Sequence, residues 1–205
     1  MLLVGAAACD TGDGRTMRPP SDAQRAALST TTSTSSTTST FAPLPIGAVT
    51  TSTALPTVAA APFELTLPWA DGGAIDVRFT CDGDDRSPQM QWTQPPPGTI
   101  ELALLVTDDD AGGYVHWAVA GIPPLAAGNG EGAAITGGLE GRNDAGTTGW
   151  TGPCPPPGAA HTYRFTLYAL SQQAEVVEDF TGADLIAIAE ASAIAVAEVT
   201  GSYSR

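Results

Sequence analysis

Apolar residues along this chain cluster in short runs with a two-residue rhythm, and glycines and prolines separate the runs. Phe63–Leu67 and Ile75–Phe79 each alternate apolar and polar positions and predict strands, and Met90–Trp92 predicts a shorter one. Ile100–Val106 is a continuous β-prone run, the pattern of a strand buried on both faces. It ends in three carboxylates, Asp108, Asp109 and Asp110. A turn at Ala111-Gly112-Gly113 follows, then a return strand over Tyr114–Val119 that carries His116. Residues 126–160 form a long glycine-rich loop, stiffened by Trp150 and by Gly152-Pro153-Cys154-Pro155-Pro156-Pro157-Gly158. Beyond it, Tyr163, Phe165, Leu167 and Ala169 alternate with Thr162, Arg164, Thr166 and Tyr168 in another strand. From Asp184 to Val199 the rhythm changes. Leu185, Ile188, Ala189, Ser192, Val196 and Val199 follow helical spacing, with Thr181 or Asp184 as the cap and Gly201 as the stop. The fold expected is mainly β, closed by a carboxy-terminal helix that covers one sheet.

Residues 1–61 read differently. Met1–Ala8 is a short apolar run ending in three alanines before Cys9, which resembles the cleavage box of bacterial lipoproteins, so Cys9 is the expected lipidation site. The run is short for a signal and lacks basic residues, so the true start is expected further upstream. Residues 29–40 are all Ser or Thr, and Pro-, Ala- and Thr-rich sequence continues to Ala61. Such a segment buries too little apolar surface to offset its ordering entropy, so 9–61 reads as a disordered tether. A flexible coil of that length would hold a head on the order of 40 Å from its anchor. The organisation expected is a signal remnant over 1–8, the tether, and a folded domain over 62–205. The protein would be exported and lipid-anchored to the outer face of a bacterial cell membrane.

Charge narrows the function. The 205 residues carry 22 acidic and 8 basic side chains, a net charge of −14, and every basic residue is arginine. Without lysine there is no Schiff-base chemistry and no lysine clamp of the nucleotide-loop type. The acidity also excludes a nucleic-acid partner, which needs a basic stripe.

Five segments in series carry a family resemblance. They are FTCDGDDRSPQMQW (79–92), PPGTIELALLVTDDDAGGYVHWAVAGIP (96–123), GRNDAGTTGWTGPCPPPG (141–158), HTYRFTLYAL (161–170) and AVAEVTGSY (195–203). Together they resemble the phosphatidylethanolamine-binding protein family, in its bacterial Raf-kinase-inhibitor-like branch. The resemblance implies a central antiparallel sheet, a second smaller sheet and a carboxy-terminal helix. It also implies a small surface pocket for phosphate and phosphorylated headgroups, and no cofactor, metal or catalysis. Carried over residue by residue, the pocket comprises Asp108 and Asp110 of the turn, His116, and the pair His161 and Tyr163. Both histidines of the chain fall on pocket positions. The turn departs from the family form. Asp109 replaces a proline, and the loop is about two residues shorter.

On this reading, Asp108 or Asp110 would accept from a ligand ammonium. His116 and His161 would donate to its phosphate, because neighbouring carboxylates favour protonated imidazoles. Backbone amides around Gly152 and Pro153 would add donors. Arg142 is a further candidate donor, although a structural ion pair with Asp144 or another acid is favoured for it. With Cys9 assigned to lipid, Cys81 and Cys154 remain as an even pair in loops that the resemblance brings towards the pocket. They are either disulfide-bonded or, as in cytosolic relatives, free. Asp plus two histidines is no recognised metal-ligand spacing, and neither Cys154 nor Ser87 has the setting of a nucleophile. The function expected is a non-enzymatic binding module for a phosphorylated or zwitterionic headgroup. The alternative is a protein inhibitor of a protease or kinase acting through a protein–protein surface.

Overall fold

The two most apolar runs of the sequence lie side by side at the centre of the main sheet. In the computed structural model, which describes residues 61–205, β4 (Glu101–Asp108) pairs antiparallel with β5 (Tyr114–Ile122) on one side. On the other side it pairs with β8 (Ala160–Leu170). β9 (Ala193–Ser204) extends the sheet beyond β8 in antiparallel pairing, from Ala160 opposite Ser204 to Ala169 opposite Ala195, with a register shift that sets Leu170 opposite Ala193. Two short strands complete the edges, β2 (Gly73–Ala74) parallel to β9 and β7 (Leu139–Glu140) antiparallel to β5. The order is β2-β9-β8-β4-β5-β7. A smaller sheet of β1 (Leu65–Thr66), β3 (Met90–Trp92) and β6 (Gly128–Asn129) packs on one face.

Alternation along β4 divides the core into two layers. Leu102, Leu104 and Val106 point towards the small sheet and pack with Phe79, Met90, Trp92, Phe165 and Leu167. Ala103 and Leu105 point the other way, against Leu185 and Ala189 of the helix α1 (Gly182–Ser192) and Phe180. A strand covered on both faces needs no polar alternation, which is why this run reads as uniformly apolar. The helix starts at a capping box. The Thr181 side chain accepts from Asp184 N, and the Asp184 carboxylate accepts from Thr181 N at 2.8 Å.

Two expectations change. The helix stops at Ser192, and residues 193–204 are strand, not a continuation of it. Residues 185–199 satisfy helical spacing, but Ala197 and Val199 also follow a two-residue period that buries them in the sheet, leaving Ile194 and Val196 partly exposed. Pairing with the whole of β8 decides between the two periods. The strand expected over Ile75–Phe79 is instead a single 3₁₀ turn over Val77–Phe79, capped by Asp76, whose Oδ1 accepts from Arg78 N at 3.0 Å. Ile75 and Phe79 are buried as alternation requires, while Val77 is exposed. The signal remnant, Cys9 and the tether up to residue 60 lie outside the described residues.

Candidate functional site

β4 and β8 carry their acidic and histidine ends to the same edge of the sheet, where the β4–β5 turn rises over them. Asp108 closes β4 and caps the single 3₁₀ turn that follows. Its Oδ1 accepts from Asp110 N at 2.9 Å and Ala111 N at 3.0 Å. The chain then reverses through Gly112 and Gly113, both at positive φ (68° and 83°), a conformation that favours glycine. Asp108 Oδ2 lies 2.7 Å from Nδ1 of His161 near the start of β8. A carboxylate accepts, so Nδ1 carries the hydrogen and Nε2 is left free. Asp108 is buried, and this double engagement is what compensates its charge.

His116 reaches the site through a break in the register. Val106 pairs with Trp117 and Thr107 with Val115, so His116 is the extra residue of a β-bulge. Its backbone turns outward to the 141–152 loop: Thr151 N donates to His116 O at 3.1 Å, and His116 Nδ1 donates to Thr151 O at 2.7 Å. The loop is itself stapled by buried Asn143, whose Nδ2 donates to Gly149 O and to the Thr147 and Thr151 hydroxyls. Asp144 pairs with Val115 by N to O and by N to Oδ2. Sequence reading missed Asn143, Asp144 and Thr151 as supports of the site. The compact GRND segment was the available signal.

Burial pushes the His116 imidazole below its ordinary range, against the opposing pull of the Thr151 carbonyl and of Asp108, Asp144 and Asp85. This reverses the expectation that His116 is held protonated. A neutral His116 with Nδ1–H committed to Thr151 presents a lone pair at Nε2. Tyr163 packs between the two rings, its centroid 5.2 Å from that of His116 and 6.4 Å from that of His161. Its hydroxyl is buried without a hydrogen-bond partner: Asp108 and the Cys154 amide lie near it, but neither meets it in bonding geometry. Burial, reinforced by Asp108, pushes the phenol well above its usual range.

A cleft of about 360 Å³ is lined by Asp108, Tyr114, His116, His161, Thr151, Gly152 and residues 154–156, with Pro153 outside the wall. A disulfide between Cys81 and Cys154 fixes its far wall. Asp82, next to Cys81, is held in turn by Tyr203 and Arg205. Gly152 lines the cleft, but its amide donates to Asp85 Oδ1 at 2.7 Å and is not available to a ligand. A Cβ there would stand 2.4 Å from Phe79 O. Pro153 has no N–H, and its carbonyl accepts from Cys81 N. Asp110 lies outside the cleft wall, exposed, its Oδ2 accepting from Thr162 N at 2.7 Å. Asp109 pairs with Arg164 at 2.8 Å. Arg142 is exposed, away from the cleft, and its side chain makes no ion pair among the described residues.

Clefts of about 470, 600 and 500 Å³ elsewhere on the described residues contain no histidine, and Glu175 is the single titratable side chain in their walls. A further cleft of about 340 Å³ is lined by Glu64 and Glu198 but by no histidine, so the cleft at Asp108 is the one that sets histidines against a carboxylate. Among the described residues, no helix is long and apolar enough to cross a membrane.

A family model described as phosphatidylethanolamine-binding protein matches residues 66–204. LppC of Mycobacterium tuberculosis, named as a lipoprotein, is 38% identical over 160 residues, covering 76% of this chain and 79% of its own. YbcL of Escherichia coli is 37% identical over 137 residues, covering 61% of this chain and 75% of its own. The crystal structure of E. coli YbcL superposes with a TM-score of 0.66 at 31% identity, over 71% of this chain and 99% of that one. A homologue from Chlamydia trachomatis superposes with a TM-score of 0.64, also at 31% identity, over 70% and 97%.

Proposed function

The chain belongs to the phosphatidylethanolamine-binding protein family, and on that premise we propose that it is a non-enzymatic binding module for a small phosphorylated or zwitterionic headgroup. The observation that carries this reading is the convergence of the Asp108–His161 pair and His116 on one open cleft, at the junction of three segments far apart in sequence. A volume of about 360 Å³ suits a headgroup and lies at the small end of ligand sites, about 300–1,000 Å³. The wall offers no activated nucleophile, which favours capture over turnover. Cys154 is in a disulfide, the Thr151 hydroxyl accepts from Asn143, and Ser87 is not in the wall. The name of LppC supports Cys9 as a lipid anchor that would hold this head outside the membrane.

The test is a titration of the protein with phosphoethanolamine, following the ring signals of the two histidines by NMR. Both rings shift saturably, and Asp108→Ala abolishes the shifts. Rings that stay in place up to millimolar ligand would remove the headgroup reading.

A further inference from the structure

The two halves of β9 present different outer edges. Near its end, Thr200 N donates to Asp71 Oδ1 at 2.8 Å, and Thr200 O accepts from Gly72 N at 3.0 Å. Ser202 O accepts from Ile75 N at 2.8 Å, and β2 lies alongside. Backbone groups along a strand point alternately to its two sides, so Val196 and Glu198 send theirs to the same side as Thr200, away from β8. On that side, among the described residues, no strand or loop pairs with them. The sequence lacks the devices that usually blunt an open edge. Residues 193–199, AIAVAEV, hold no proline, no lysine and a single charge. Ile194 and Val196 are each 47% exposed.

This open half borders a groove. The cleft of about 340 Å³ is lined by residues 63–66 on one side and 196–198 on the other, so β1 and β9 face each other across it. The ionisable residues of its wall are Glu64 and Glu198. Glu64 makes no ion pair among the described residues. Glu198 accepts from the Thr166 hydroxyl at 3.2 Å and lies 3.7 Å from Arg164, which Asp109 holds more closely at 2.8 Å. We infer that the open half of β9 is a docking site for an extended segment of a partner protein, added to the sheet as a further strand. Its apolar side chains lie over Ile194 and Val196, and its basic ones face Glu64 and Glu198. Main-chain hydrogen bonds hold such a strand, and the side chains select it. Charge favours this occupant over a second copy of the chain, which would bring another Glu198 and another net −14 to the same edge. The site is separate from the headgroup cleft and does not rest on that reading.

The experiment is amide hydrogen exchange by NMR on the full chain, with a blocked six-residue peptide of alternating valine and lysine as the probe. In the free chain the Val196 and Glu198 amides exchange freely. The peptide binds with a Kd below about 1 mM and protects both amides. The same peptide with every amide N-methylated keeps its side chains and charge but cannot pair with an edge, and binds at least about tenfold more weakly. Val196→Pro, at a position whose N–H points away from β8, removes a donor from the edge and costs at least about tenfold in peptide affinity. If that variant does not fold, Glu198→Lys lowers the affinity about threefold or more. Equal binding of the N-methylated peptide overturns the inference, as does binding that leaves both amides exchanging, or no binding up to millimolar peptide. Amides already protected in the free chain overturn it too. Protection that grows with protein concentration would then assign the edge to a second copy, and protection independent of concentration to residues 41–60 of the same chain.

Discussion

At the scale of single residues, Asp108 and His116 do most to shape the site, and each does so through a backbone feature. Asp108 is at once the cap of the β4–β5 turn and the partner of His161. Asp108→Asn keeps an acceptor for the two turn amides but sets an N–H₂ against the His161 Nδ1–H. The expected cost is about 1–3 kcal/mol in urea denaturation, with the His161 ring hydrogen moving to Nε2 in ¹⁵N spectra. His116 shows in pH dependence. Its folded value lies below the ordinary 6.5, so as the pH falls the unfolded chain takes the proton first. Its contribution to stability is full above about pH 6.5 and is lost as the pH drops through that value towards the folded one. Urea midpoints at pH 7.5 and 5.5 should fall with acid, and His116→Gln should flatten that slope. Asp71, Asp82 and Asp184 are held below the usual carboxylate range, chiefly by hydrogen bonds, and add a loss of the same sign only below about pH 3.8. Both histidines were legible in the sequence as pocket residues. The proton on His116 was not, because a bulge and a distant carbonyl at Thr151 set it.

At the scale of elements, the runs whose pattern admits a strand alone were legible: the continuous apolar run of β4, the return strand β5, the alternating β8 and the short β3. The end of the chain was not, since residues 185–199 fit both a helical and a two-residue repeat, and a partner strand made the choice. The disulfide acts at this scale too. It joins the turn after Phe79 to the 151–158 segment across 73 positions of sequence. In the chain-entropy account, closing a loop of that length stabilises the fold by up to about 4 kcal/mol. Reduction, or replacement of both cysteines by serine, should lower the stability measured in urea by about 2–4 kcal/mol. It should also loosen Thr151, broadening the His116 ring signals before those of His161, which is held from β4.

For the molecule as a whole, charge sets the terms on which an anion arrives. Residues 1–60 hold three aspartates and three arginines, so the entire net −14 belongs to the described part of the chain. An acidic head repels a phosphate at long range, and salt weakens that repulsion. Raising ionic strength from about 0.01 to 0.1 M shortens the screening length from about 30 to about 10 Å. The affinity for inorganic phosphate at fixed pH should then hold or rise a few-fold, where a basic anion site would lose affinity; a steep fall would reveal a local positive field. What the sequence determined by itself was the set of β-prone runs that became strands, the Ser- and Thr-only composition of residues 29–40, the absence of lysine, and the family. The first three follow from composition and from interactions between near neighbours along the chain, and the family from the five segments that resemble it. Only the tertiary structure decided that 193–204 is strand, that Cys81 meets Cys154, and that Gly152 gives its amide to Asp85 and not to a ligand. It also decided that both histidines give their Nδ1 atoms to the protein, His116 to Thr151 O and His161 to Asp108. Each of these depends on groups from 23 to 73 positions apart, and their juxtaposition exists only once the sheet has closed.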